Sequence, residues 1–420
     1  MQNKFKASQN DNIDTGSMQV VVFSDITNVP IENATISISY SGEPNSEFAQ
    51  LTTDASGLSP IIDLPAPPIE YSMEPSIEQP YSEYTLRIDA PGYETLEISG
   101  SEILPTITSN QPVALTPIEP LTNEEAIVIP PHTLYYEYPP KIPESEIKPI
   151  DESGEIVLSR VVVPEIIVVH DGPPNDTSAK DYYVRYRDYI KNVASSEIYS
   201  TWPDAAIRAN VLAIMSFTLN RVYTEWYRNR GYNFTITSST AYDQKWINGR
   251  NYFEPISRIV DEIFNNYISR PNVKQPILTQ YCDGRRVSCP NWLSQWGSKS
   301  LADQGYSTSQ ILRYYYGQDV YINSAEEISG IPSSWPGENL TIGSSGIKVR
   351  QMQEQLNLIG EDYRAIPQLI ADGIFGESTQ AAVRKFQEIF DLPVTGIVDF
   401  PTWYKISDMY VRLSRIAELN

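Results

Sequence analysis

The sequence predicts a multi-domain fold: an N-terminal all-β sandwich, a central α+β domain and a C-terminal three-helix domain. Three observations carry this. The chain has 420 residues, above the roughly 250–300 at which a single core splits. Of its 32 prolines, 17 lie between Pro60 and Pro149, so a stretch poor in backbone donors separates two differently patterned parts. Hydrophobic spacing also changes along the chain, from the alternation of strands to the three- and four-residue steps of helices.

Residues 1–117 form the first unit. QVVVF, ATISISY and YTLRIDA carry β-branched or alternating residues, with turn chemistry in TDASG and DAPGY, a pattern that predicts a small sandwich. Residues 118–160, with PPHTLYYEYPPKIPESEIKP, read as a proline-rich linker or an extended covering segment. Strand-like sequence returns in VVVPEIIVV and marks a boundary near Arg160, opening a central unit over 161–325. There Ile207, Val211, Met215, Leu219, Val222 and Trp226 recur at helical spacing. They predict a helix from about Pro203 to Arg228, with Thr201 as N-cap and Asp204 in the first turn. Further helices are expected at about Tyr252–Tyr267 and Ser307–Tyr316. Residues 326–420 hold a linker and the last unit, with helix starts at Ser344 and Glu377 around a DGIFG turn.

The formal charge is -22, and residues 1–160 hold 25 Asp+Glu against 6 Lys+Arg, leaving 28 against 25 in the remainder. This acidity argues against nucleic acid as a partner. Neither a membrane span nor a secretory signal is expected, because no run of 18 apolar residues and no apolar leader core is visible. The two cysteines, Cys282 and Cys289, leave open a local disulfide or two thiols. The two histidines, His132 and His170, lie away from them, so no metal and no cofactor are expected.

Two segments resemble known domain families. GSSGIKVRQMQEQLN and ADGIFGESTQAAVRKFQEIFDLPVTGIVDFPTWYKI resemble the helical peptidoglycan-binding module of cell-wall enzymes. The resemblance implies that Asp372, Gly373, Phe375, Gly376, Thr379 and Trp403 form its signature, the apolar members serving the core. DYIKNVASSEIYSTWPDAAIRANVLA and NWLSQWGSKSLADQGYSTSQILRYYYG resemble the SpoIID/LytB-like domain of sporulation and cell-wall proteins, whose pattern runs strand, glutamate, helix start. That resemblance implies Glu197 as the catalytic acid. The family's second glutamate is Ala205 here, with Asp204 shifted by one residue, and its Ser-Ser-Gly-Gly run appears as YCDGRR. Tyr281, Asp283, Gln295 and Trp296 are candidates for sugar binding, through ring faces and amide or carboxylate hydrogen bonds; a core role for Trp296 is equally open.

Taken whole, the order of units resembles the spore cortex-lytic enzymes of clostridia, through EYTLRIDAPGYE, PPKIPESEIKP, VVVPEIIVVHDG and LTQYCDGRRVSCPNWLSQWGSK. This implies a precursor located in the spore, in cortex or outer layers, with cortex peptidoglycan as substrate and a Csp-type serine protease as activator. The change of composition places the cut near Arg160 and Val161. A lytic transglycosylase needs one carboxyl that first gives and then takes a proton, whereas ordinary glycosidases need a pair. Retention of Glu197 beside Ala205 fits the single-acid scheme. Ile198, Tyr199 and Trp202 would dry Glu197 and raise its pKa, while a nearby helix N-terminus would oppose this. Two other readings stay open: a non-catalytic wall-binding or coat protein, and an N-acetylmuramoyl-L-alanine amidase. Restraint of the precursor is expected either from repulsion between its acidic part and the anionic wall or from steric covering of the cleft.

Overall fold

The computed structural model describes residues 14–43, 46–118, 125–148, 158, 160–325, 327–329 and 335–414. The first unit is a two-sheet sandwich built from β1 (Asp14–Ser24), β2 (Thr35–Tyr40), β3 (Glu47–Thr52), β4 (Ile62–Ala66), β5 (Ser82–Asp89), β6 (Leu96–Ile103), β7 (Thr108–Leu115) and β8 (Glu125–Val128), with a short α1 (Glu70–Met73) after β4. Alternation decides which face is inward: Met18, Val20 and Val22 of β1 are fully buried, while the residues between them are partly exposed. They meet Ile36 and Ile38 of β2 and Leu86 and Ile88 of β5 across the core.

The sandwich is not confined to residues 1–117. β8, from the proline-rich segment, lies parallel to β6 at one sheet's edge, in the order β3-β2-β5-β6-β8. The other sheet runs β4-β1-β7-β13, where β13 (Tyr252–Phe253) belongs to the central unit and pairs antiparallel with β7. A shared sheet therefore ties the first unit to the second.

The central unit contains β9 (Val162–Val163), β10 (Ile166–His170), β11 (Asp181–Arg185), β12 (Ile236–Thr237), β14 (Asn266–Ser269), β15 (Tyr281–Cys282), β16 (Leu293–Ser294), β17 (Tyr321–Ser324) and β18 (Glu327–Ile328). Its helices are α2 (Tyr186–Glu197), α3 (Asp204–Tyr223), α4 (Glu254–Ile263), α5 (Gln295–Asp303) and α6 (Thr308–Tyr316). The helix α3 is buried on almost every face, with α2, α4, α5 and α6 packed round it. Sequence periodicity carries α3 too far: Glu225 takes φ 45 and ends it, while Trp226 merely continues the apolar spacing through the following turn. Pro203, not Thr201, is the N-cap residue, and no side chain caps it. Pairing of β18 with β9 carries the unit slightly past residue 325.

The last unit packs α7 (Ile347–Asp362), α8 (Glu377–Ile389) and α9 (Phe400–Ser414). Val349, Leu356, Val383, Phe386 and Trp403 are buried between them. The expected helix start at Ser344 moves to Ile347, because Gly346 has φ 125 and precedes the first turn. Among the described residues no helix is long and apolar enough to cross a membrane.

Candidate functional site

Glu197 is the last residue of α2, whose course breaks at Ile198 in extended conformation. The stretch expected to be a strand before Glu197 is thus a helix, and the dipole end beside the carboxyl is the negative one. The end of α2 thus adds to burial in disfavouring the carboxylate. Glu197 is 3% exposed, and Ile198, Tyr199 and Trp202 after it are buried as well. Its Oε1 accepts the Lys245 N–H at 2.7 Å, while Oε2 has no hydrogen-bond partner among the described residues. Burial pushes the carboxyl above the usual carboxylate range, opposed by the Lys141 ammonium, the Lys245 N–H and the Tyr281 hydroxyl. That hydroxyl faces Glu197 without a hydrogen bond of regular geometry. Its own pKa is pushed well up, first by burial and then by the carboxylate.

Glu197 sits in the wall of a cavity of about 400 Å³ together with Tyr281, Asp283 and Gln295. The opposite wall is the proline-rich segment, including Tyr136, Tyr138 and Lys141. Trp296 does not line this cavity; its ring packs 5.0 Å from Trp202 and belongs to the core. Asp283 is held by its own loop, its two oxygens accepting N–H groups of Arg285, Arg286 and Val287 at 2.9–3.2 Å. Cys282 and Cys289 close that loop as a disulfide, with Cα atoms 5.7 Å apart. Asp204, the first residue of α3, lies on the surface in ion pairs with Arg208 and Arg258, and Ala205 beside it bears no carboxyl.

Residues 129–148 form a strap across the cleft. Arg286 donates to the carbonyls of Thr133, Tyr135 and Tyr136. Lys141 Nζ bonds to the Asp243 carbonyl and sits 4.9 Å from the Tyr281 ring centroid. Burial lowers the Lys141 pKa, while Glu197 and Asp243 support its charge. Further along, Glu144 meets Arg221 at 2.6 and 3.0 Å, and Glu146 meets Arg270 at 2.6 and 2.8 Å. Sequence reasoning missed Lys141, Lys245 and Arg286. The one available signal was the charge alternation in KIPESEIK, which places cations and anions two to four residues apart along a chain that proline keeps extended.

In the last unit the signature residues are structural. Phe375, Thr379 and Trp403 are each 1% exposed. Asp372 accepts the Ile374 N–H at 2.8 Å, and Gly373 adopts φ 79, so both shape the turn. Gly376 is the N-cap residue of α8. At the expected cut, Arg160 is exposed and paired with Glu327, whereas Val161 is 1% exposed within the central core. Among the described residues no group of three or more His, Cys, Asp or Glu is placed to hold a metal ion.

Residues 345–406 match the family model of a peptidoglycan binding domain. The chain carries a C-terminal peptidoglycan-binding domain. No curated protein matches the chain. Among solved structures, the SleB N-terminal domain is 30% identical over 18% of this chain and 99% of that one, with a TM-score of 0.16. The Bacillus anthracis TIE protein is 16% identical over 25% of this chain and 17% of its own length, with a TM-score of 0.18. A Klebsiella pneumoniae 5-hydroxyisourate hydrolase is 18% identical over 24% of this chain and 92% of that one, with a TM-score of 0.17.

Proposed function

We propose that the chain is the precursor of a spore cortex-lytic transglycosylase of the clostridial SleC kind, restrained by its own strap. The observation that carries the reading is a single buried carboxyl, Glu197, in the wall of a covered cavity, with one oxygen that has no hydrogen-bond partner among the described residues. Burial shifts its pKa upward, the direction a general acid requires. The Glu197 carboxylic acid gives its proton to the glycosidic oxygen as the bond from the MurNAc C1 breaks. The carboxylate then takes the proton of the C6 hydroxyl, whose oxygen bonds to C1 and closes a 1,6-anhydro ring. No water and no second carboxylate enter the scheme, which agrees with Ala205 and with the engagement of Asp283 in its loop.

The strap supports the precursor reading. Lys141 reaches the acid from a segment that lies before the expected junction at Arg160 and Val161, so a cut there, by a Csp-type serine protease, would sever the covering chain's covalent link to the central unit and leave it held by its contacts alone. The wall-binding domain supplies attachment to peptidoglycan, with the spore cortex as its proposed location. Mass spectrometry of cortex sacculi treated with protease-activated protein tests the assignment. Anhydro-sugar ends are expected from the native chain, and Glu197→Gln removes them while sacculus binding persists. Release of free stem peptides instead would make the protein an amidase, and no release at all a binding protein.

A further inference from the structure

We propose that the groove beneath residues 139–148 is the subsite for an acidic peptide arm of the wall polymer, and that the strap occupies it as a stand-in. This rests on the reading of the chain as a peptidoglycan-cleaving precursor. Two buried glutamines treat the strap as a run of amides. The Gln280 side chain donates to the Ile142 carbonyl at 2.7 Å and accepts the Glu144 N–H at 2.9 Å. Gln275 accepts the Lys148 N–H at 2.7 Å and donates to the Lys148 carbonyl at 3.2 Å. Both side chains are nearly inaccessible to solvent, and a buried amide requires partners for its donor and acceptor alike. When the strap leaves, Gln280 loses both of these partners and Gln275 keeps only the Asn220 amide at 3.2 Å on its oxygen, so both can take another amide-bearing chain.

Two arginines stand beside them as carboxylate forks. Arg221 is fixed from behind by Asp243 at 2.7 Å and the Tyr242 carbonyl at 3.1 Å, and its fork holds Glu144 through both oxygens. Arg270 grips Glu146 the same way. Bidentate guanidinium pairing selects carboxylates by shape as well as by charge. The groove therefore reads amide and carboxylate in alternation along an extended polymer. Lys141 is three residues before Glu144, about 10 Å of extended chain, so the forks lie within one substrate's reach of Glu197. A peptide with free carboxylates, attached to a sugar held at Glu197, has this chemistry; an uncharged glycan does not.

The test uses the full chain carrying Glu197→Gln, which removes turnover, with Glu144→Gln and Glu146→Gln to loosen the strap. Binding of a soluble muramyl-peptide with free carboxylates is compared by calorimetry with that of its fully amidated form. Uncovering of Trp226, on which Lys148 Nζ sits 4.2 Å from the ring centroid, reports strap release by fluorescence. Where the neutral variant keeps the strap in place, Glu146→Arg sets two cations against each other and expels it. Expected is a preference of about tenfold or more for the acidic peptide, lost on adding Arg270→Ala. Arg270 is used because it is half-buried, whereas Arg221 sits in the core. Equal affinity for both peptides, no binding by either strap variant, or a preference untouched by Arg270→Ala overturns the assignment. Because binding is read without cleavage, selection of the acidic peptide by this variant together with no release of wall fragments by the protease-activated native chain would sink the lytic reading and leave this one standing.

Discussion

At Glu197 two influences of opposite sign meet, and the strap controls one of them. Burial raises the carboxyl pKa, and the Lys141 ammonium is the first of the groups that pull it back. A cation favours the ionised form, so its removal favours the acid. Replacing Lys141 with Met is therefore expected to move the Glu197 pKa further up, read by NMR titration of labelled glutamate side chains in the full chain. An unchanged or lower value would show that Lys141 does not set the charge of the acid. The stability linkage has the same sign. A carboxyl whose folded pKa lies above its unfolded value stabilises the fold most at low pH, and that contribution is lost as pH rises through the folded value. Lys141→Met should carry this loss to higher pH. Glu197 itself was legible in the sequence because a short motif marks it. Its neighbours Lys141 and Lys245 were not, since each reaches it across a long chain separation that no local pattern encodes.

Among the elements, those with strong local periodicity were read correctly in kind: the strands β1, β2 and β5, the helices α3 and α6, and the last three helices. The capping box Ser307–Gln310 even fixes the start of α6 by local chemistry alone. Elements defined by distant partners were not legible. The strands β8 and β13 are short segments whose only strand character is the edge they complete. The helix α2 has apolar Tyr186, Tyr189, Ile190, Val193 and Ala194 at helical spacing, but its polar Asn192, Ser195 and Ser196 are buried as well, which its periodicity alone does not indicate. The β8 edge has a specific weak point. Gly100 holds φ +89, and a Cβ there would stand 2.7 Å from the Ile129 carbonyl oxygen. Gly100→Ala is expected to push the chain after β8 off the sheet, costing about 1–3 kcal/mol from the strained φ and the clash together. Hydrogen exchange at the Ile129 amide, which now donates to the Ser99 carbonyl at 2.9 Å, should speed up by tenfold or more, on the order of the lower end of that cost.

Over the whole molecule, the acidic part is held by arginines of the central unit, at Glu102–Arg250, Glu144–Arg221 and Glu146–Arg270. On the proposed precursor reading this favours steric covering over charge repulsion, since these carboxylates are engaged in docking. A shared sheet and three buried or half-buried ion pairs also mean that cutting the chain near Arg160 does not by itself separate the pieces. The two fragments are expected to co-elute in size-exclusion chromatography after the cut. Their affinity should depend on pH through Glu102, which burial pushes up to about 7 against the attraction of Arg250. The two side chains are 2.8 Å apart but poorly aligned for a hydrogen bond, so Arg250 offsets burial only in part. With the docked pKa above that of a freely hydrated glutamate, near 4.3, docking is fully supported below that lower value. It weakens as pH rises toward about 7 and is then constant. Fragment dissociation measured between pH 5 and 8 should therefore increase with pH. Glu102→Gln should remove that slope and hold docking near its low-pH strength across the range, because the neutral amide stands in for the protonated carboxyl that docking favours. A slope that survives Glu102→Gln would assign the pH dependence to another pair, and fragments that part at once on cleavage would show that the shared sheet does not hold them.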